Sequence, residues 1–181
     1  MKLLGISGSL RQDSFNTRLL QLVAQLLPPE INFQLYTCGE LPLYNQELDG
    51  AEKPSAVKQL LDRIGAADGL LISTPEYNYS VPGVLKNALD WASRPAFQSL
   101  LKGRPTAVLS ASMSNLGGVR AQIHLKQILG STLTPVYPAP DFIIPAAHQL
   151  FPETGLPTDP DLEKRLQKFI AGFISWAQNH Q

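Results

Sequence analysis

A chain of 181 residues with fifteen Lys plus Arg against fifteen Asp plus Glu has room for one domain, and for a core that needs no cross-links. The balanced charge excludes the basic excess by which proteins grip nucleic acid or an anionic membrane. The single cysteine, Cys38, excludes an intramolecular disulfide and suits a reducing compartment.

The opening MKLLGISGSL sets a lysine before apolar residues, as a signal peptide does, but Arg11 and Asp13 follow too soon, and the segment reads as a strand. No apolar stretch approaches the roughly 20 residues that a membrane span requires. The expectation is a soluble, cytoplasmic protein with neither nucleic acid nor membrane as partner.

In chain order, short apolar runs and amphipathic stretches alternate. Residues 2–6 form the first strand, and residues 15–27 a helix with Leu19, Leu20, Val23, Leu26 and Leu27 on one stripe. Residues 33–37 are the second strand. Residues 55–66 are the second helix, with Val57, Leu60, Leu61 and Ile64 on its inner face. The third strand is 69–73, and the helix after it, 81–92, takes Pro82 into its first turn, where a missing N–H costs nothing. Strand four is 106–111, and helix 118–129 follows with Gly130 as its C-cap. A fifth strand is expected at 134–137, continuing beyond a proline-rich break to 142–144. Thr158, Asp159 and Asp161 then supply caps and first-turn acids to a last helix, 162–178.

This β-α alternation over residues 1–181, without repeats or a dividing linker, predicts a single α/β domain. Its five-stranded parallel sheet would be doubly wound in the order 2-1-3-4-5, with helices on both faces. In such a sheet ligands sit outside the carboxyl ends of the strands, where the strand order reverses. The loops after strands one, three and four are the ones to read.

Ser7-Gly8-Ser9-Leu10-Arg11-Gln12-Asp13-Ser14-Phe15-Asn16-Thr17 joins strand one to its helix. Hydroxyls, an amide and a guanidinium gathered at a helix N-terminus suit a phosphate monoester. The loop matches neither the dinucleotide glycine pattern nor a Walker A loop. An ordinary helix start, with Ser14 or Asp13 as N-cap and Arg11 solvated, answers to the same residues. After strand three, Pro75-Glu76-Tyr77-Asn78-Tyr79-Ser80-Val81-Pro82-Gly83 holds two tyrosines and an asparagine between prolines. That suits the edge and faces of an aromatic ring, or a proline-rich turn with tyrosines packed on a neighbour. After strand four, Ser112-Met113-Ser114-Asn115-Leu116-Gly117-Gly118 ends in paired glycines, which permit close approach to a flat ligand or serve only the turn.

Gly-Ile-Ser-Gly-Ser-Leu-Arg with Ser14 and Asn16, followed by Thr-Pro-Glu-Tyr-Asn-Tyr-Ser-Val-Pro-Gly-Val-Leu-Lys-Asn-Ala-Leu-Asp-Trp, resembles the NADPH-dependent FMN reductase family. These flavodoxin-like proteins include bacterial chromate, quinone and azo-dye reductases. The resemblance covers residues 1–150. It implies that Ser9, Arg11, Ser14 and Asn16 hold the phosphate of flavin mononucleotide (FMN), and that Pro75, Glu76, Tyr77 and Asn78 border its isoalloxazine ring. Leu10 and Thr17 of the first loop, with Ser112, Gly117 and Gly118 of the third, complete the expected cofactor-binding set. Met113-Ser114-Asn115 departs from the smaller residues expected before Leu-Gly-Gly.

The implied activity is transfer of electrons from NADPH or NADH, through FMN, to a quinone, an azo or nitro compound, free flavin or a metal oxyanion such as chromate. The flavin supplies the chemistry, so no catalytic side chain is expected. An alternative is a flavodoxin-type electron carrier, although carriers of that type are usually strongly acidic. A signalling receiver domain lacks the acids it needs at the strand ends. His124, His148 and His180 are too scattered to hold a metal. Glu76 is expected to orient its loop and His148 to pack. A homodimer or homotetramer is expected to form through the helices that carry Trp91, Val119 and Ile123.

Overall fold

The computed structural model describes residues 1–180. The chain runs β1 (Lys2–Ser7), α1 (Phe15–Leu26), β2 (Asn32–Thr37), a 3-10 turn (Gln46–Leu48), α2 (Ser55–Ala66), β3 (Gly69–Ser73), α3 (Gly83–Ala92), β4 (Thr106–Ala111), α4 (Val119–Ser131), β5 (Phe142–Ile144), α5 (Ala147–Leu150) and α6 (Pro160–Gln178). The five strands are parallel and ordered β2-β1-β3-β4-β5. Every residue of β3 and β4 is buried, as continuous apolar runs covered on both faces require, whereas β2 at the sheet edge alternates between half-buried and exposed.

Successive side chains of a strand point to opposite faces, and the core divides accordingly. Leu3, Leu71, Ala107 and Leu109 pack under α1 and α6, with Leu19, Leu20, Val23, Leu166, Ile170 and Phe173. Leu4, Ile6, Leu70, Ile72 and Val108 pack on the other face against Leu60 and Ile64 of α2, Leu85 and Leu89 of α3, and Leu125 and Leu129 of α4. Each residue added to a strand thus feeds both layers in turn. This is how a five-stranded sheet stabilises helices on both sides.

Several element boundaries differ from the sequence reading, and proline chemistry accounts for the main one. Residues 134–137 do not form a strand. They make a single bridge between Val136 and Thr106, in which Thr106 N donates to Pro135 O and Tyr137 N to Thr106 O. Pro135 and Pro138 have no N–H to extend a ladder, so regular pairing resumes only at β5, opposite Leu109–Ala111. Pro82 is the N-cap of α3 rather than a first-turn residue. Gly130 lies inside α4, and the left-handed residue that ends it is Leu133, at φ 59°. Ser14 and Asp159 cap α1 and α6 through their side chains, Asp159 Oδ1 accepting from Leu162 N at 2.6 Å.

Trp91 is fully buried and cannot face a partner subunit. Its Nε1 donates to Pro42 O at 2.8 Å, and Asn87 Nδ2 donates to the same carbonyl. Asn87 Oδ1 accepts from Tyr44 N, and the Tyr44 ring meets Trp91 edge-on. The Asn87 and Trp91 pair of the long motif therefore tethers the segment after β2. Cys38 is buried at the end of β2 with its thiol pushed up to about 12 by desolvation, a packed residue rather than a nucleophile. Among the described residues no helix is long and apolar enough to cross a membrane.

Candidate functional site

The loops after β1, β3 and β4 meet at the carboxyl end of the sheet, and one side chain stitches them together. Asn16, in the first turn of α1, is buried. Its Oδ1 accepts from Ser73 Oγ at 2.9 Å and from Ala111 N at 3.0 Å, and its Nδ2 donates to Ala111 O at 2.9 Å. The amide thus pins α1 to the ends of β3 and β4. The side-chain amide is turned into the sheet. Thr17 is similarly engaged, its hydroxyl 2.7 Å from Ser7 Oγ. Gly8 N donates to Ser73 O at 2.8 Å, and Thr74 N to Leu109 O, so the first two loops leave the sheet already coupled to their neighbours.

Around that anchor the first loop is rich in donors. Ser14 Oγ accepts from Asn16 N and Thr17 N, which leaves its own proton free to donate outward. Ser9 Oγ accepts from Arg11 N at 3.3 Å and is in the same condition. The N–H groups of Leu10, Gln12, Asp13 and Phe15 have no acceptor among the described residues. Arg11 is exposed, its guanidinium 4.8 Å from the Phe15 ring centroid, and Leu10 projects into solvent. The first turn of α1 carries no acidic residue, so the positive end of the helix is not neutralised there. Unpaired N–H groups, two inward-held hydroxyls and a mobile-length cation match the acceptor-only oxygens of a phosphate monoester.

The second loop turns sharply. Tyr77 N donates to Ser80 O at 2.9 Å and Ser80 N to Tyr77 O at 3.0 Å, closing a turn whose central residues, Asn78 and Tyr79, both have positive φ, 49° and 65°. Two such residues define a type I′ geometry, which asparagine tolerates and tyrosine rarely adopts. Strain of this kind persists where the surroundings over-determine it. Here they do: the Arg120 guanidinium lies 4.1 Å from the Tyr79 ring centroid, and His124 Nδ1 sits 3.0 Å from Ser80 Oγ. Pro75 and Glu76 are half-buried, while Tyr77 and Tyr79 stand exposed at 52% and 63%. The N–H groups of Glu76 and Asn78 have no acceptor among the described residues, and they offer donors to a ring edge.

Gly117 and Gly118, at φ 60° and 90°, are both buried. A Cβ on Gly118 would come within 2.9 Å of Ser110 Cβ, and one on Gly117 within 3.0 Å of Pro145 N. These glycines let the third loop pass close to the chain's own β4 and β5. The local bonds that Met113-Ser114-Asn115 left open are carried by serines: Ser114 N donates to Ser112 Oγ, and Gly117 N and Ala146 N donate to Ser114 O. Ser112 N reaches Ile144 O and its carbonyl accepts from Ala147 N, so the third loop is tied to the end of β5. His148 is exposed on α5 rather than packed. Sequence reasoning missed Arg120, Ser73 and Arg18, whose partners come from distant segments; Arg18 is buried and donates to Pro152 O and Gly155 O.

The family model for NADPH-dependent FMN reductase matches residues 1–149. An NAD(P)H-dependent FMN reductase of Pseudomonas aeruginosa is 41% identical over 180 residues, 98% of this chain and 96% of that protein. A 2-hydroxy-1,4-benzoquinone reductase of a Burkholderia species is 38% identical over 181 residues, covering 100% of this chain and 98% of that one. Among solved structures, FerB, a flavoenzyme NAD(P)H:(acceptor) oxidoreductase from Paracoccus denitrificans, superposes with a TM-score of 0.90 at 38% identity, covering 99% of this chain and 98% of its own. The chain belongs to the NADPH-dependent FMN reductase family.

Proposed function

We propose that this protein is an FMN-dependent NAD(P)H oxidoreductase that passes electrons to a small-molecule acceptor, with quinones the acceptor class that its relatives' names favour. The observation that carries the reading is the donor set of the first loop. Its unpaired backbone N–H groups, the outward protons of Ser9 and Ser14, and Arg11 fit a terminal phosphate at the open end of α1. Bound there, FMN supplies the two-electron chemistry. The chain's own part is positional. The first loop would hold the phosphate, and the N–H groups of Glu76 and Asn78 would face the ring edge and stabilise negative charge there. The exposed rings of Tyr77 and Tyr79 would flank the place where nicotinamide and acceptor dock in turn. No side chain acts as a general acid or base in this reading.

The same reading places the protein in the reducing cytoplasm with Cys38 free, and as a homodimer or homotetramer. Acid extraction of the protein after loading with a mixture of flavins tests the cofactor. Short hydroxyl side chains closing on a monoester should yield FMN as the dominant flavin. A dominant yield of FAD, or none of either, would contradict the assignment.

A further inference from the structure

Helix α4 begins without a cap of its own. Its N-cap residue is Gly118, which has no side chain and sits at φ 90°. The first N–H groups of a helix need an acceptor from elsewhere. Here it comes from a different loop, more than forty positions earlier in the chain: Glu76 Oε2 accepts from Arg120 N at 3.1 Å and from Ala121 N at 3.4 Å, and Oε1 lies 3.4 Å from Arg120 Nη1. The Glu76 side chain is only 11% exposed. A carboxylate is thus held largely out of water at the positive end of a helix, where it is stabilised by both the dipole and the N–H groups.

The residue that receives Glu76 also restrains the turn that follows it. The Arg120 guanidinium covers the ring of Tyr79, the residue whose backbone takes the rarely adopted left-handed conformation, and one turn of helix further on His124 meets Ser80 Oγ. Among the described residues, the side-chain hydrogen bonds and the cation–π contact that hold residues 76–80 all come from the first two turns of α4. Those turns start directly after the two glycines wedged against β4 and β5.

We infer that Glu76 is a positioning residue. Its carboxylate, by capping α4, clamps the loop after β3 to the base of α4 and so sets the direction in which the Glu76 and Asn78 N–H groups face the flavin ring. The inference rests on the proposed FMN site, but the clamp belongs to the protein alone. It also explains a feature that composition cannot: a left-handed tyrosine persists in a loop only if the partner across it is fixed.

The test compares Glu76→Ala, Glu76→Gln and Asp159→Ala, the last removing a comparable side-chain cap from α6. FMN affinity is read by fluorescence titration, the shape of the bound flavin's visible band by absorption, and the exchange of the 76–80 amides by hydrogen–deuterium exchange of the FMN-free protein. Glu76→Ala should weaken FMN binding by about ten-fold or more, equivalent to roughly 1.4 kcal/mol, shift the band towards that of free FMN and speed exchange in the loop. Glu76→Gln retains a carbonyl oxygen for the α4 N–H groups and should recover most of the affinity. Asp159→Ala should destabilise the protein without altering the flavin band or loop exchange. Unchanged affinity in Glu76→Ala, unchanged loop exchange, or an equal loss of affinity in Asp159→Ala would overturn the inference. If the parent protein itself fails to take FMN, the proposed function falls instead, and the exchange measurement alone decides whether the clamp exists.

Discussion

Asn16 and Arg11 stand five positions apart in one loop-and-helix start, and the structure gives them opposite kinds of work. Asn16 is buried, with its amide shared among Ser73 Oγ and both backbone groups of Ala111. Truncating it leaves several buried polar groups unpaired, each costing on the order of 1–3 kcal/mol. Asn16→Ala should therefore lower unfolding stability by at least about 2 kcal/mol in denaturant titration, with FMN affinity falling as a consequence. Arg11 is exposed, with its guanidinium over the Phe15 ring. Arg11→Ala should leave stability unchanged and weaken FMN by roughly ten- to a hundred-fold, the range for losing a charge-assisted contact of about 1.5–3 kcal/mol. If Arg11→Ala binds FMN like the parent, the phosphate is held by N–H groups and hydroxyls alone.

Cys38 gives a pH dependence whose sign is fixed by burial. Desolvation raises its thiol from 9.0 in the unfolded chain to about 12 in the fold, and burial likewise raises Tyr36 from 10.0 to about 12. An acid whose folded value is raised contributes stability that is present below the unfolded value and is lost as pH climbs towards the folded one. Unfolding free energy should therefore fall between pH 9 and 12, and Cys38→Ala should flatten that slope. An equal slope in the variant would show that the thiol ionises without opening the structure.

At the scale of elements, the loops around the site and α4 carry exposed apolar side chains. Tyr77 and Tyr79 of the second loop, Leu116 of the third and Ile123 of α4 are all exposed, Ile123 by 50%. The α4 and second-loop surface is therefore the expected interface of a homodimer or homotetramer, with Ile123 on it and Trp91, buried under Tyr44, off it. Ile123→Glu should convert the parent's assembly to monomers in light scattering. A parent that is already monomeric at micromolar concentration would refute the interface.

What could be read of these elements in advance follows from the range of the interactions that make them. The α1 cap at Ser14 and the strand runs of β3 and β4 are local patterns, and they stood in the sequence. The Asn16 stitch and the Glu76–Arg120 clamp pair residues distant in the chain, and no spacing rule connects them. Of the fifth strand, residues 142–144 form β5, while 134–137 bridge only once because Pro135 and Pro138 lack the N–H groups that a ladder needs. The packing of the paired glycines against β4 and β5 becomes visible only once the sheet is assembled.

For the whole molecule, alternation of strands and helices was enough to order the sheet, because right-handed crossovers leave few other ways to cover both faces. Fold alone would serve an electron carrier as well as an enzyme. The distinction lies in whether the open end of the sheet admits a nicotinamide beside the flavin. The direct measurement is the visible spectrum of the purified, FMN-loaded protein without air, before and after addition of NADPH or NADH and then of a quinone. The flavin band should bleach with the nicotinamide alone and return with the quinone, with no other protein present. Bound flavin that stays oxidised with both nicotinamides until a separate reductase is added would contradict the account and make this protein a carrier.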